Sequence, residues 1–302
     1  MSETPRERAL RFGAQGTLAG IVAEPAGGVT ALPGVVMLNS GILHRVGACR
    51  LHVKLARRLA QRGYASVRFD HSGIGDSEAR RDSSAFEKAA VGEVREALDW
   101  LAAKRDVERF VVLGLCSGAD VAFAAAREDS RIAGLVLLDP WAYRTPRWWL
   151  VHYGRRVASP GAWRRFLARR LAATPAPASP AVSEDLDLPT YVREFPPRER
   201  VAADLGALAE RDARLLCIFS SGQPDHYNHA GQMRAAFRGV ALGDRLHEVF
   251  LPGADHIFTD LEHQETVLRT VESWLETLDG VPARAPEALG APRAAAGAGS
   301  PA

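Results

Sequence analysis

The chain has 302 residues, carries 38 Lys and Arg against 36 Asp and Glu, and is 47% hydrophobic. That length and balance suit one large α/β domain or two small ones with a sizeable buried core, and they argue against wholesale disorder. A formal net charge of +2 argues against nucleic-acid binding driven by bulk charge, and no apolar run reaches the roughly 18 residues of a membrane-spanning helix.

Short apolar runs alternate with longer segments of helical period, the pattern of stacked βαβ units and a mostly parallel sheet. A hairpin is expected at Arg8–Phe12 and Thr17–Ala23, joined through Gly13 and Gly16. Val35–Asn39 reads as the first buried strand. Leu51, Leu55 and Leu59 then stripe a helix that stops at Gly63. Tyr64–Phe69 is the next strand, followed by a helix from Phe86 to Lys104 with Val91, Val94, Leu98 and Leu101 inward. Phe110–Gly114 runs into a small-residue helix, Asp120–Arg127. Leu135–Leu138, Leu215–Phe219 and Leu246–Leu251 complete about eight strands, and Val267, Val271, Leu275 and Leu278 stripe a closing helix. The core is therefore expected in residues 1–140 and 205–279, with an insertion at 141–204 and a disordered Ala/Pro/Gly-rich tail at 280–302.

The chemistry sits at Gly114-Leu115-Cys116-Ser117-Gly118, where a strand meets a helix. A nucleophile on so sharp a turn brings together the residues two before and two after it, so both must be small. Gly114 and Gly118 satisfy this for Cys116. Ser117 as nucleophile would put Leu115 where a small residue is needed, and a buried structural cysteine is the third reading. The backbone N–H of Ser117 and the helix N-terminus favour negative charge at such a corner, which suits a thiolate. A base and an orienting acid are expected further along: His256 in GADHIF and Asp225 in SSGQPDHY, each on a loop at the carboxyl end of a strand. Asp139, at the end of VLLDP, could reach the same imidazole, or cap a turn before Pro140. The loop Asn39–His44 is expected to give the second oxyanion donor, with Gly41 permitting close approach and Ile42 donating its N–H. Gly41, His44, Arg45 and Trp141 are candidate substrate-binding residues. The three cysteines, Cys49, Cys116 and Cys217, have no metal-ligand spacing, and chemistry of this kind requires neither metal nor organic cofactor. The opening MSETPRERALRF lacks a signal-peptide core, so reduced thiols in a cytoplasm are the expectation.

GLCSGA, RFDHSGIGDS (Arg68–Ser77) and DHIF (Asp255–Phe258) together resemble the α/β-hydrolase superfamily. The stretch from Asn39 to Ser77 further resembles the serine-aminopeptidase-like hydrolases, including those found with exosortase A systems. The resemblance covers roughly Leu10 to Leu278. It implies an eight-stranded sheet, a lid after the sixth strand, and a nucleophile–acid–histidine triad at Cys116, Asp225 and His256. It also implies that FDHSGIGDS is a structural turn in which Asp70 and Asp76 satisfy backbone groups. Most of the superfamily carries serine where this chain has Cys116. A thiol exchanges acyl groups with thioesters at little thermodynamic cost, so thioester hydrolysis or acyl transfer is the expected activity. A carboxylesterase or lactone hydrolase of the same fold, and a binding protein that has lost activity, are the alternatives.

The insertion holds TPRWWLVHYGRRVASPGAWRRFLARR, basic and tryptophan-rich, with no acidic residue from Pro140 through Val182. This composition suits a lid helix with a solvated arginine face. It also suits recognition of an anionic acyl carrier such as coenzyme A or an acyl carrier protein, or contact with an acidic membrane surface.

Overall fold

A computed structural model describes residues 5–27, 31–105, 107–157, 161, 164, 193 and 195–278. The opening hairpin forms as β1 (Arg6–Phe12) and β2 (Leu18–Glu24), turned through Gly13 and Gly16 with φ of 86° and 66°. The remaining strands are β3 (Gly34–Leu38), β4 (Ser66–Phe69), β5 (Phe110–Leu115), β6 (Ile132–Leu138), β7 (Arg214–Ser220) and β8 (Leu246–Leu251). They join one eight-stranded sheet in the order β1-β2-β4-β3-β5-β6-β7-β8. Strand β2 pairs antiparallel with both β1 and β4, and every pairing from β4 to β8 is parallel.

Parallel strands covered on both faces read as unbroken apolar runs, because successive side chains feed two separate cores. Here Val35, Met37, Val111, Leu113, Val136, Leu138, Leu216 and Ile218 point to one layer with α1 (Leu51–Gln61) and α7 (Leu261–Glu276). Their sequence neighbours Val36, Leu38, Val112, Leu135, Leu137, Leu215, Cys217 and Phe219 point to the other. That second layer is closed by α2 (Phe86–Arg105), α3 (Ser117–Glu128) and α5 (Arg198–Glu210). The two leucine and valine stripes foreseen for α1 and α2 are the faces these helices bury. A short helix, α6 (Gln232–Ala236), packs beside β8.

After β6 the chain leaves the sheet and forms α4 (Pro146–Val157). Most of the expected insertion, and the tail at 280–302, lies outside the described residues. Core packing has resumed in α5, where Val201, Leu205 and Leu208 are buried. Among the described residues no helix is long and apolar enough to cross a membrane.

Candidate active site

Strand β5 ends at Leu115 and α3 begins at Ser117, so Cys116 is the single residue of the corner. Its backbone sits at φ 55° and ψ −118°, a conformation non-glycine residues rarely adopt. The turn is as tight as the glycine spacing requires. A Cβ on Gly114 would lie 2.2 Å from the Gly118 carbonyl, and one on Gly118 would lie 2.3 Å from Asn39 O. The corner is tied to the sheet by the Cys116 N–H, which donates to Leu138 O at 2.9 Å. The half-buried thiol accepts from the Ser117 N–H and hydrogen-bonds with His256. Burial pushes its pKa up, but those bonds and the nearby charges of Arg193 and His256 outweigh burial, leaving it below the ordinary thiol value. Cys217, by contrast, is fully buried in the sheet, and burial raises its pKa strongly.

His256 follows β8 and turns its ring toward the corner. Its Nδ1 lies 2.7 Å from Asp139 Oδ2. The carboxylate, then the bond with the thiol, raise the imidazole pKa to about 9 against the opposing effect of burial. Room for the histidine comes from Gly222, where a Cβ would stand 2.4 Å from His256 N. The amide nitrogen of Gln223 lies 3.0 Å from Nδ1 and 3.2 Å from Nε2, packing that side chain against the ring.

The carboxylate that meets the imidazole is thus Asp139 and not Asp225. Asp139 ends β6 at φ 43° and is 4% exposed. Its Oδ1 accepts from Ser220 N and its Oδ2 from Ser220 Oγ, each at 2.6 Å. The ends of neighbouring strands β6 and β7 therefore meet at this one carboxylate. Asp225 sits further out on the loop after β7, with its side chain 71% exposed and its nearest charge partner His152 at 3.8 Å. What that loop does is anchor α4: Asp225 O accepts from Arg144 Nε at 3.1 Å, and Pro224 O from Trp148 Nε1 at 3.2 Å. Ser220 and Gln223 are the site residues the sequence reading missed. Ser220 was the findable one, as the small polar residue ending a strand that lies beside VLLD.

The loop after β3 closes the other side. Ser117 Oγ accepts from Gly41 N at 2.8 Å, so the side chain beside the corner thiol holds this loop. Gly41 adopts φ 52° with open space around it, so the glycine serves the turn's conformation and not a close approach. With the Gly41 N–H engaged, Ile42 is the next N–H in line; its side chain is 92% exposed. His44 is exposed beside it.

Two expected substrate contacts are placed elsewhere. Arg45 is tied through its guanidinium to Asp70 and Asp76, and its N–H donates to Asp70 Oδ1 at 2.6 Å. Asp70, fully buried, also accepts from Asn39 Nδ2 and from Asp76 N. FDHSGIGDS is thus a structural turn in which Asp70 satisfies backbone groups as expected, whereas the Asp76 carboxylate meets the Arg45 guanidinium instead of backbone; this charge cluster holds the loop bearing Ile42 from below. Trp141 is 2% exposed, with its ring 5.0 Å from Phe123 and 6.5 Å from Phe237. It is packed into an aromatic cluster and closed to ligand. Because the backbone N–H groups of Arg45 and Asp76 and the Asn39 amide would lose their buried acceptor, Asp70→Ala is expected to lower stability by about 1–3 kcal/mol, read as a fall in the urea midpoint.

Residues 32–205, more than half of the chain, match the family described as serine aminopeptidase, S33. A curated relative, abhydrolase domain-containing protein lid-1 of Caenorhabditis elegans, is 33% identical over 109 residues. That stretch is 35% of this chain and 28% of the relative, so the chain spans little more than a quarter of the relative's length. Two solved structures superpose over most of this chain. An esterase of Pyrococcus furiosus has a TM-score of 0.57 at 15% identity, covering 90% of this chain and 91% of its own. A dienelactone hydrolase, so described, of Klebsiella pneumoniae has 0.56 at 15% identity, covering 91% and 99%. Such identities speak for the fold alone, and the fold agrees with the family match: the chain is an α/β-hydrolase and belongs to the serine aminopeptidase, S33 family.

Proposed function

We propose that this protein is an acyl-transfer enzyme, acting on an ester or thioester through a covalent acyl group on Cys116. The observation that carries the reading is the hydrogen-bonded line Cys116–His256–Asp139, with the imidazole raised first by Asp139 and then by the thiol, and the thiol lowered by the imidazole against its burial. Cys116 Sγ attacks the carbonyl carbon as thiolate, and the N–H groups of Ser117 and Ile42 bind the oxyanion. When the tetrahedral intermediate collapses, the bond to the leaving alcohol or thiol breaks and His256 supplies its proton. Water, an amine or an alcohol then attacks the acyl thioester while His256 accepts its proton, and Cys116 is released. Asp139 holds the imidazole tautomer and stabilises its charge throughout.

A thioester substrate exchanges sulfur for sulfur at Cys116, which favours thioesters over simple esters. The exposed Arg144, 4.5 Å from the Trp148 ring and 5.6 Å from Trp149, and the exposed Arg147 suit an anionic carrier such as coenzyme A or an acyl carrier protein. Steady-state rates with matched acyl-coenzyme A thioesters and p-nitrophenyl esters test the assignment. A higher kcat/KM for the thioester, with KM rising as salt is added, is expected. Preference for the neutral ester at every salt concentration would instead make the protein a carboxylesterase or lactone hydrolase.

A further inference from the structure

Arg193 lies outside the triad and outside both loops that frame it, on the stretch where the chain returns from the insertion to α5. Its side chain is 11% exposed and reaches beneath the corner. Nε and Nη2 donate to Asp120 Oδ2 and Oδ1 at 2.6 and 2.5 Å, the paired geometry a planar guanidinium makes with a carboxylate. The same group donates from Nη2 to Cys116 O at 3.1 Å and from Nη1 to Asp139 O at 3.2 Å. The Phe195 ring lies 5.3 Å from the guanidinium carbon.

These two carbonyls belong to the corner thiol's residue and to the residue whose carboxylate meets His256. Both residues hold positive φ, 55° and 43°, and relaxing either strained corner would swing its carbonyl and its side chain together. We propose that Arg193 is a positioning residue for acyl transfer: by gripping both carbonyls while anchored on α3 through Asp120, it holds Cys116 and Asp139 at the spacing that His256 bridges. Lysine cannot replace it, since a point charge on a flexible stem offers neither the fork nor four fixed directions. The link also makes the site depend on a residue distant in sequence, because Arg193 lies 73 residues from Asp120. The inference rests on Cys116 being the group that is acylated. Lowering of the thiol pKa by the Arg193 charge is a secondary consequence of the same placement. The titratable and charged groups facing the thiol are His256, Asp139 behind it, Arg193 and Asp120 beside α3.

Iodoacetamide alkylation of Cys116 against pH, beside steady-state kinetics, separates positioning from mere support of the fold. Wild type, Arg193→Gln, Arg193→Lys and Asp120→Asn are compared, each with its thermal midpoint. In Arg193→Gln the alkylation midpoint is expected to rise by about one pH unit. The same variant is expected to lose about 10- to 100-fold in kcat with KM changed less than about threefold. Arg193→Lys restores the midpoint but not kcat, and Asp120→Asn lowers kcat by freeing the arm. If Arg193→Gln does not fold, Arg193→Lys alone provides the readout: kcat lowered at an unchanged alkylation midpoint is the expected result, and wild-type kcat overturns the positioning role. A low midpoint in wild type that is unchanged in Arg193→Gln, with kcat intact, overturns the positioning role alone. An ordinary-thiol midpoint in wild type overturns the underlying reading of Cys116.

Discussion

Asp139→Asn is expected to lower kcat by about three to four orders of magnitude, whereas Asp225→Asn leaves kcat within about twofold. The asparagine amide presents either an oxygen or an NH2 group to His256 Nδ1. If NH2 faces the ring, Nδ1 must accept, the proton moves to Nε2, and the imidazole can no longer take a proton from an attacking group. Either way the negative charge beside the imidazolium is gone. Ser220 would still hold the side chain, with its N–H donating to the amide oxygen and its hydroxyl oxygen accepting from the amide NH2, so the loss is chemical and the fold survives. Asp225 accepts from Arg144, just before α4, through its backbone carbonyl, which the substitution keeps. Steady-state kinetics on the purified variants, with circular dichroism to confirm folding, checks both outcomes; equal losses in the two would contradict the geometry.

The second large effect is in pH. His256 titrates at about 9, raised first by Asp139 and then by Cys116, while the thiol is lowered by His256 and by Arg193 against its burial. Both shifts favour the thiolate–imidazolium pair over the neutral thiol and imidazole. Falling pH protonates the thiolate and removes the nucleophile. Rising pH through about 9 deprotonates the imidazolium and removes the acid that protonates the leaving group. A bell-shaped kcat/KM profile follows, with its upper limb near pH 9. In Asp139→Asn the upper limb moves toward acid, because the largest cause of the raised imidazole pKa has been removed. An upper limb that stays near 9 in that variant would show that the limb belongs to another group.

The fold was legible because both cores are written in period two. The central strands β3, β5, β6 and β7 carry near-continuous apolar residues, and α1, α2 and α7 carry the spacing that covers them. The corner was equally legible: only glycine fits at positions 114 and 118, and the clash distances explain why. The acid was not. Chain order cannot separate a carboxylate at the end of β6 from one at the end of β7, since the two strands are neighbours and both open on the same edge. What decides between them is the direction of one side chain at a positive φ, a property of the packed corner. Arg45 and Trp141 were misplaced for a related reason. An arginine beside a candidate site reads as a ligand contact until its buried partner is known, and Asp70 lies 25 residues away in sequence. Arg193 had no local signal at all, because the Asp120 carboxylate and the Cys116 and Asp139 carbonyls that it meets lie far from it in the chain.

The most direct measurement is the mass of the intact protein after brief incubation with an activated acyl thioester, followed by peptide mapping. A mass increase equal to the acyl group is expected, located on Cys116, absent from Cys116→Ala and prolonged in His256→Ala. An unmodified Cys116 under turnover, or full activity in Cys116→Ala, would contradict acyl transfer through Cys116.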